Sequence, residues 1–512
     1  MNEHEHSNRK DSLSLWGAVS MGTGVMIGAG IFALTGQIAE LAGTWFPFAF
    51  LVAAIIAGFS SYSYIKMAQK YPSAGGIAMF LKKAYGRGLL TGACALLMFF
   101  SMVINESLVA RTFGTYVLQL FDSQGAEWLI PALGVSLLIV AFIVNILSNQ
   151  FIQTLSFIMA FIKIAGLAVL AIGGLWATGL SFESVSAQPQ DTSATGFLGA
   201  VALGILGYKG FTTITNSGGE LKQPEKNVGR AIVISISICV VLYVFVAVAV
   251  GANLSIGEII QAKDYSLAEA SRPAFGQYGA WFTIAFAIIA TSSGVVASIF
   301  AVSRMLSMLT SMQLVPHRHF SLPGDIRRHS LIYTLVIAII LTIFFDLSRI
   351  ASIGVVFYIV MDIFIHWGVF KHLRDDVQAK AWVLVSAIIL DIIVLLSFMW
   401  VKAKSDIFIV GISVAGLLIV FAAEKWFLKL HAYDDDDKNY NDLSSGSLNI
   451  ISDLTQKKKD KNLNIDFSEF DNHVFFGSAV SKLEKFKLKV EKIDHLQMQL
   501  SASLSITGSR DE

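Results

Sequence analysis

The dominant feature of this sequence is a series of twelve apolar stretches, each of roughly 20 residues, which is the length that a helix needs to cross a bilayer. The chain has 512 residues, of which 54% are hydrophobic and 15% charged. Soluble domains carry about 25% charged residues, so soluble, disordered and fibrous proteins are excluded. Because the stretches are long and continuous, we predict membrane-spanning helices rather than barrel strands. Their approximate limits are 14–36, 45–69, 89–121, 128–147, 150–177, 196–220, 229–252, 274–311, 330–346, 349–370, 380–401 and 405–428.

Lysine and arginine residues in the connecting loops predict the orientation of these spans. Nineteen lie on the side of the N-terminus and five on the opposite side, which places both termini in the cytoplasm. We predict a cytoplasmic segment at 1–13, a twelve-helix domain at 14–428 and a polar cytoplasmic tail at 429–512. The first eleven residues are polar, so the first apolar stretch is expected to remain as a span rather than to be a cleaved signal. Residues 480–500 have helical apolar spacing, which fits either a small soluble domain or a helix lying on the membrane surface.

Glycine is concentrated in two of the twelve spans, the first with six glycines and the sixth with seven. Each interior glycine costs about 1 kcal/mol of helix stability relative to alanine, so we predict that both helices are interrupted. Two interrupted helices five spans apart indicate an inverted repeat of five plus five helices, as in many secondary transporters. Close helix packing through the GxxxG pair Gly24 and Gly28 is the alternative interpretation.

Interrupted helices provide backbone groups that can bind a small molecule inside the membrane. A half-helix that begins there offers free N–H groups to an anion, and one that ends there offers carbonyl groups to a cation. A zwitterion fits both kinds of helix end.

Four sequence stretches together resemble the amino acid–polyamine–organocation transporter superfamily. They are MIGAGIF in the first span, YPSAGGIAMFLKKAYGRG after the second, GYKGF with GGELKQPEKNVGRAI around the sixth, and SIFAVSRMLSMLTSMQLVP at the end of the eighth. The resemblance covers residues 12–428 and implies an all-α protein with the LeuT-type fold. It also implies transport of amino acids or related amines, coupled to protons or to a counter-substrate.

The resemblance also implies a substrate site on this chain at the two interrupted helices. The substrate carboxylate is expected on N–H groups around Gly28 to Gly30, and its ammonium near the Val25 and Met26 carbonyls and the Leu206–Lys209 break. Lys209 departs from the family pattern, in which this position is often apolar or small. The predicted substrate-binding residues are Val25, Met26, Ile27, Gly28, Ala29, Gly30, Glu106, Leu206, Gly207, Tyr208, Lys209 and Gly210.

A lysine near the middle of the fifth span, Lys163, is the predicted proton-coupling group. A charge at this depth costs at least about 2.5–3.5 kcal/mol on insertion scales. In proton-coupled relatives a lysine here takes the place of a second sodium ion, against the first and eighth spans. Snorkelling to the membrane surface is the alternative. If transport instead required sodium, Ser292 and Ser293 with the carbonyls of Gly24 and Ile27 would be candidate ligands.

Glu106, Asp362 and Asp391 are acidic residues inside predicted spans. Glu106, near the centre of the third span, either pairs with Lys209 across the site or serves packing as a protonated or hydrogen-bonded group. Asp362 and Asp391, in the tenth and eleventh spans, are expected to serve packing or interhelical hydrogen bonds.

These features favour a secondary transporter of amino acids in the inner or plasma membrane. An exchanger and a transporter-like sensor that signals through the tail remain alternatives. No nucleophile elbow or histidine-rich zinc pattern is present, which argues against an enzyme. We expect no cofactor, no metal site and no nucleic-acid partner; the expected partners are a small-molecule substrate, protons and the lipid bilayer.

Overall fold

The computed structural model describes residues 13–72, 76–121, 127–147, 149–179, 193–312, 314 and 326–430. Within these residues the regular structure is helical, apart from one isolated parallel bridge between Leu13 and Leu221. The chain divides into two units, Met1–Leu428 and Lys429–Glu512. The predicted tail and its helix at 480–500 lie outside the described residues.

Fifteen helices, numbered here in chain order, make up most of the described chain. They are α1 Leu15–Ala42, α2 Phe46–Lys70, α3 Gly76–Tyr85, α4 Leu89–Leu118, α5 Leu129–Leu147, α6 Asn149–Ala177, α7 Ala194–Tyr208, α8 Phe211–Asn216, α9 Pro224–Asn253, α10 Ile256–Gln261, α11 Ser266–Ser311, α12 Ile326–Phe344, α13 Leu347–Gly368, α14 Ala381–Ser405 and α15 Ile407–Leu430.

Ten helical runs of the described residues are long and apolar enough to cross a membrane, and two shorter apolar helices, Leu15–Gly28 and His329–Phe344, accompany them. Outer helices expose large apolar side chains such as Trp176, Phe344 and Leu418, whose exposed fractions are 65–78%. Such surfaces require a lipid environment rather than water. The prediction of an all-α, multi-pass membrane protein is confirmed, whereas the number of twelve spans stays a prediction.

Helix α1 lies at the centre of the helical bundle and packs against α6, α7, α9 and α11. It runs from Leu15 to Ala42 without an interruption, so the break predicted in the first span is not observed. Other glycines of α1, such as Gly22 and Gly30, allow neighbouring helices to approach closely, whereas a Cβ atom added at Gly24 of the GxxxG pair would meet no atom within 4 Å. Tertiary packing therefore outweighs the low helix propensity of glycine in α1.

The sixth span is interrupted where the sequence predicts it. Helix α7 ends at Tyr208, Lys209 and Gly210 form a turn, and the short helix α8 begins at Phe211. This turn lies against α1, so the interruption and the glycine-rich part of the first span are brought together.

Candidate functional site

Glycines on α1 and in the sixth span form the contact on which the predicted site depends. A Cβ atom added at Gly30 would lie 2.9 Å from the carbonyl oxygen of Gly207 and 2.4 Å from the hydroxyl oxygen of Tyr243. A Cβ atom added at Gly210 would lie 2.7 Å from the Cγ atom of Met26. The two predicted halves of the site are therefore in direct contact, at a separation that only glycine permits.

Most other members of the predicted set are buried around this contact. Gly28 faces Gly294 of α11, since a Cβ atom on Gly28 would lie 3.6 Å from the Gly294 Cα atom. The ring of Tyr208 packs on that of Tyr243 with centroids 5.1 Å apart. The side chain of Ala29 lies outside the described residues. The buried apolar side chains of the set are Val25, Met26, Ile27, Leu206 and Tyr208.

The unbroken course of α1 changes how the substrate carboxylate can be bound. In a continuous α-helix, the N–H groups of residues 28–30 donate to carbonyl groups four residues earlier. The free N–H groups expected at Gly28 to Gly30 are therefore not available in this conformation. An anion bound here needs another donor or a local opening of α1.

The ammonium group of Lys209 is a side-chain hydrogen-bond donor within the predicted set. It lies in the turn between α7 and α8 and donates to the carbonyl oxygen of Ser101 at 2.8 Å and to the hydroxyl oxygen of Ser101 at 2.9 Å. It also lies 5.7 Å from the centroid of the Tyr358 ring. An ammonium has three N–H donors, and the described residues accept two hydrogen bonds from Lys209, both at Ser101.

Glu106 is fully buried on α4 and accepts a hydrogen bond from the Ser298 hydroxyl of α11 at 3.1 Å. Its second carboxyl oxygen has no hydrogen-bond partner among the described residues. No ion pair within 4.0 Å joins Glu106 to Lys209 in that part of the chain. Ser101, which holds Lys209, is five residues from Glu106 on the same helix and therefore about 140° away around it. The structure therefore shows Glu106 hydrogen-bonded between packed helices, which is one of the two interpretations that the sequence left open.

Lys163 on α6 is buried, with 1% of its surface exposed. Its ammonium donates to the carbonyl oxygen of Gly24 on α1 at 2.8 Å. It also lies 3.8 Å from the position that a Cβ atom would take on Gly294 of α11. The ammonium therefore contacts α1 and faces α11, the first and eighth spans.

The two serines proposed as an alternative ion site lie on α11. Ser293 donates to the carbonyl oxygen of Ala290 in its own helix at 3.2 Å, and Ser292 is partly buried beside it. No hydrogen bond joins either serine to Lys163 within the described ranges. The Lys163 ammonium faces this part of α11 at Gly294.

Four residues that contact the predicted site were not identified from the sequence: Ser101, Ser298, Tyr243 and Tyr358. Ser101 accepts a hydrogen bond from Lys209 and Ser298 donates one to Glu106, and Tyr243 and Tyr358 contact the sixth span. A hydroxyl group within an apolar helix is the sequence feature by which these four residues could have been identified. Their partners are set by contacts between helices far apart in the sequence.

A charged cavity of about 390 Å³ lies near the C-terminal end of α1. Lys263 pairs with Glu40 at 3.0 Å and Arg349 pairs with Asp406 at 2.8 Å in its lining. Burial raises the pKa of Asp264, although neighbouring Lys263 and a hydrogen bond from Gln37 partly oppose this effect. The cavity contains Lys263, Arg349 and Lys402, three of the basic residues that the sequence places on the side opposite the N-terminus.

Comparison with known proteins agrees with this architecture. Residues 13–423 match the amino acid permease family. The chain is 30% identical to the inner membrane transport protein YbaT of Escherichia coli (strain K12), over 82% of this chain and 98% of that protein. It is 25% identical to the serine/threonine exchanger SteT of Bacillus subtilis (strain 168), over 54% of this chain and 62% of that protein.

A solved structure of similar fold is that of a mutant form of the Eremococcus coleocola manganese transporter. It aligns with a TM-score of 0.55 at 14% sequence identity, over 83% of this chain and 97% of that one. At this identity the likeness concerns the fold alone. The family match and the transporter relatives show that the chain belongs to the amino acid permease family of the amino acid–polyamine–organocation superfamily, and that it is a membrane transporter rather than an enzyme.

Proposed function

We propose that the protein is a secondary active transporter that moves amino acids by alternating access and is coupled to protons through Lys163. The supporting observation is the hydrogen bond from the Lys163 ammonium to the Gly24 carbonyl. This bond joins α6 to the helix that forms half of the substrate site. A buried ammonium to which the described residues offer one acceptor is costly inside a membrane, which favours loss of its proton when the surroundings change.

The proposed coupling acts on helix α1. While Lys163 carries its proton, the charge-assisted hydrogen bond to Gly24 holds α1 against α6, and such bonds are stronger than neutral ones. Release of the proton weakens this contact and frees α1 to move relative to α6. In this proposal the proton and the substrate both act on the position of α1.

The proposed substrate carries a carboxylate, and Lys209 is its proposed partner. The ammonium of Lys209 has three N–H donors, and Ser101 accepts two hydrogen bonds from it. Lys209 precedes Gly210, which lies against Met26 of α1. A bare amine or polyamine would be repelled by this charge, so we propose amino acids rather than polyamines. The rest of the predicted set, from Val25 to Gly30 and from Leu206 to Gly210, would surround the substrate.

Exchange of one amino acid for another is the second candidate function, because the chain is similar to a serine/threonine exchanger. We place the protein in the inner or plasma membrane with both termini in the cytoplasm, as the distribution of lysine and arginine predicts.

The test is uptake of radiolabelled amino acids into proteoliposomes containing the full chain. We expect accumulation with an inward proton gradient and no dependence on sodium. Uptake only into liposomes preloaded with an amino acid would favour exchange. Uptake of decarboxylated amines in place of amino acids would contradict the assigned substrate class.

A further inference from the structure

Three ionisable side chains that are not among the predicted substrate-binding residues meet inside the membrane domain. Asp362 and His366 are one helical turn apart on α13, and Asp391 lies on α14. Each has at most 1% of its surface exposed. One potential metal-ligand atom from each residue lies within 4.8 Å of those from the other two.

The two separations between His366 and the carboxyl groups fit coordination of a single small cation. The Nε2 atom of His366 lies 3.4 Å from an Asp362 carboxyl oxygen and 3.5 Å from an Asp391 carboxyl oxygen. Ligands at about 2.0–2.2 Å from a tetrahedral zinc ion are separated from each other by roughly 3.3–3.6 Å. These separations are long for a hydrogen bond and match those between two ligands of one metal ion.

Two of the three converging groups have an atom with no hydrogen-bond partner in the described part of the chain: His366 through Nε2 and Asp391 through a carboxyl oxygen. No lysine or arginine lies within 4.0 Å of the Asp362 or Asp391 carboxyl groups in that part. Two buried carboxylates with a neutral imidazole carry a charge of −2, which one divalent cation neutralises.

Neighbouring hydroxyl groups on α2 orient two of these side chains. The Ser63 hydroxyl is hydrogen-bonded to His366 Nδ1 at 2.7 Å, which directs Nε2 towards the two carboxyl groups. The hydroxyls of Ser60 and Tyr64 donate to the two oxygens of Asp362, each at 2.5 Å. Outer hydrogen bonds of this kind hold metal ligands in protein sites.

We propose that Asp362, His366 and Asp391 form a binding site for one divalent transition-metal ion of the zinc class. Three protein ligands leave a fourth position for water or a neighbouring hydroxyl. The ion would connect α13 to α14. Because the ligands come from two helices, no short stretch of the sequence contains all three of them. The proposal does not depend on the substrate or on the proton coupling suggested above.

The test is stoichiometric metal binding by the full chain in detergent, purified without an oligohistidine tag and stripped with EDTA. His4 and His6 are replaced by alanine in every protein, because two terminal histidines could bind metal themselves. Titration with Co²⁺, followed by the visible absorption of four-coordinate cobalt, is combined with the zinc content measured by mass spectrometry. We expect about one equivalent of bound metal, with zinc displacing cobalt from the site.

Variants of the ligands and matched controls make this test specific. His366→Asn and Asp391→Asn should each weaken binding at least tenfold, and Ser63→Ala should weaken it about 10-fold to 100-fold, as loss of an outer hydrogen bond does elsewhere. His372→Asn and Glu424→Gln, which change a histidine and a carboxyl group outside the cluster, should bind metal as the parent does. Elution from a sizing column shows that each variant is folded.

Absence of stoichiometric metal binding by the parent would overturn the proposal. Equal binding by the parent and by the folded Ser63→Ala and Asp391→Asn variants would overturn it as well. A parent that binds no metal, while His366→Asn alters the pH dependence of thermal stability, would show that the cluster holds protons instead.

Discussion

Replacement of Gly30 by alanine tests whether contact between α1 and the sixth span organises the protein. The added carbon would lie 2.9 Å from the Gly207 carbonyl oxygen and 3.0 Å from the Gly207 Cα atom. It would also lie 2.4 Å from the Tyr243 hydroxyl oxygen. The tyrosine side chain can rotate away, but the backbone of α7 cannot move without separating the two helices.

The size of the effect follows from these distances. Carbon atoms pack at about 3.5–4.0 Å, so α1 and α7 must separate by roughly 0.5–1 Å to admit the methyl group. Overpacking of this kind costs about 1–3 kcal/mol. Alanine also favours the helix by about 1 kcal/mol relative to glycine. Gly58→Ala in α2 is a matched control, because an added carbon there meets no atom within 4 Å. Both variants gain the same helix propensity from alanine, so the overpacking should make Gly30→Ala about 1–3 kcal/mol less stable than Gly58→Ala.

Unfolding of the purified proteins in mixed micelles, followed by tryptophan fluorescence, measures this difference. Gly207→Ala extends the series, because its added carbon would meet the Gly30 Cα atom at 3.3 Å and should cost less. The expected order of stability is Gly58→Ala, then Gly207→Ala, then Gly30→Ala. Equal stability of Gly30→Ala and Gly58→Ala, with unchanged uptake, would refute the close contact between these helices.

Three further predictions concern recognition, the tail and pH. Lys209→Met should weaken binding of carboxylate-bearing substrates by about 1.5–3 kcal/mol, the usual contribution of a hydrogen bond to a charged group. If competition binding gives the same substrate affinity for the parent and Lys209→Met, Lys209 does not bind the substrate. Truncation after residue 430 should leave uptake within a few-fold of that of the full chain, because the transporter domain precedes this point. Complete loss of uptake in a truncated protein that reaches the membrane would favour a regulatory tail. The hydrogen bond from Arg349 lowers the pKa of Asp406 below the usual value of about 3.9. The ionised Asp406 carboxylate therefore stabilises the folded protein at neutral pH, and this stabilisation is lost as the pH falls through the lowered pKa. Asp406→Asn should remove that part of the acid-induced loss of thermal stability, and identical pH profiles for the two proteins would contradict the assignment.

The membrane-spanning class and the interruption of the sixth span were predictable from local properties of the sequence. Apolar length reports on the membrane environment, and the glycines near Lys209 mark a weak point in a helix. The continuity of α1 was not predictable in this way. Glycine lowers the stability of a helix, yet it also permits close contacts such as that of Gly30 with Gly207, and only the arrangement of the other helices determines which effect prevails.

The hydrogen-bond partners of the buried ionisable side chains could likewise not be predicted from the sequence. Lys209 binds Ser101, which is 108 residues away along the chain, rather than Glu106, whose opposite charge suggested the pairing. The rotation between Ser101 and Glu106 around α4 decides between them, because the Lys209 side chain reaches the face of α4 that carries Ser101. The aspartates expected to serve packing, Asp362 and Asp391, converge on His366 because α13 and α14 lie side by side.

Proton-driven accumulation by the Lys163→Met variant tests the central proposal most directly. Methionine keeps much of the apolar stem of lysine and removes the ammonium that donates to the Gly24 carbonyl. Lys83→Met, which changes a lysine outside the α1–α6 contact, serves as the control. In proteoliposomes with an inward proton gradient, we predict that the parent and Lys83→Met accumulate amino acid, whereas Lys163→Met retains exchange at equilibrium but loses accumulation. Full proton-driven accumulation by Lys163→Met, or a sodium requirement in the parent with no response to the proton gradient, would contradict the proposal.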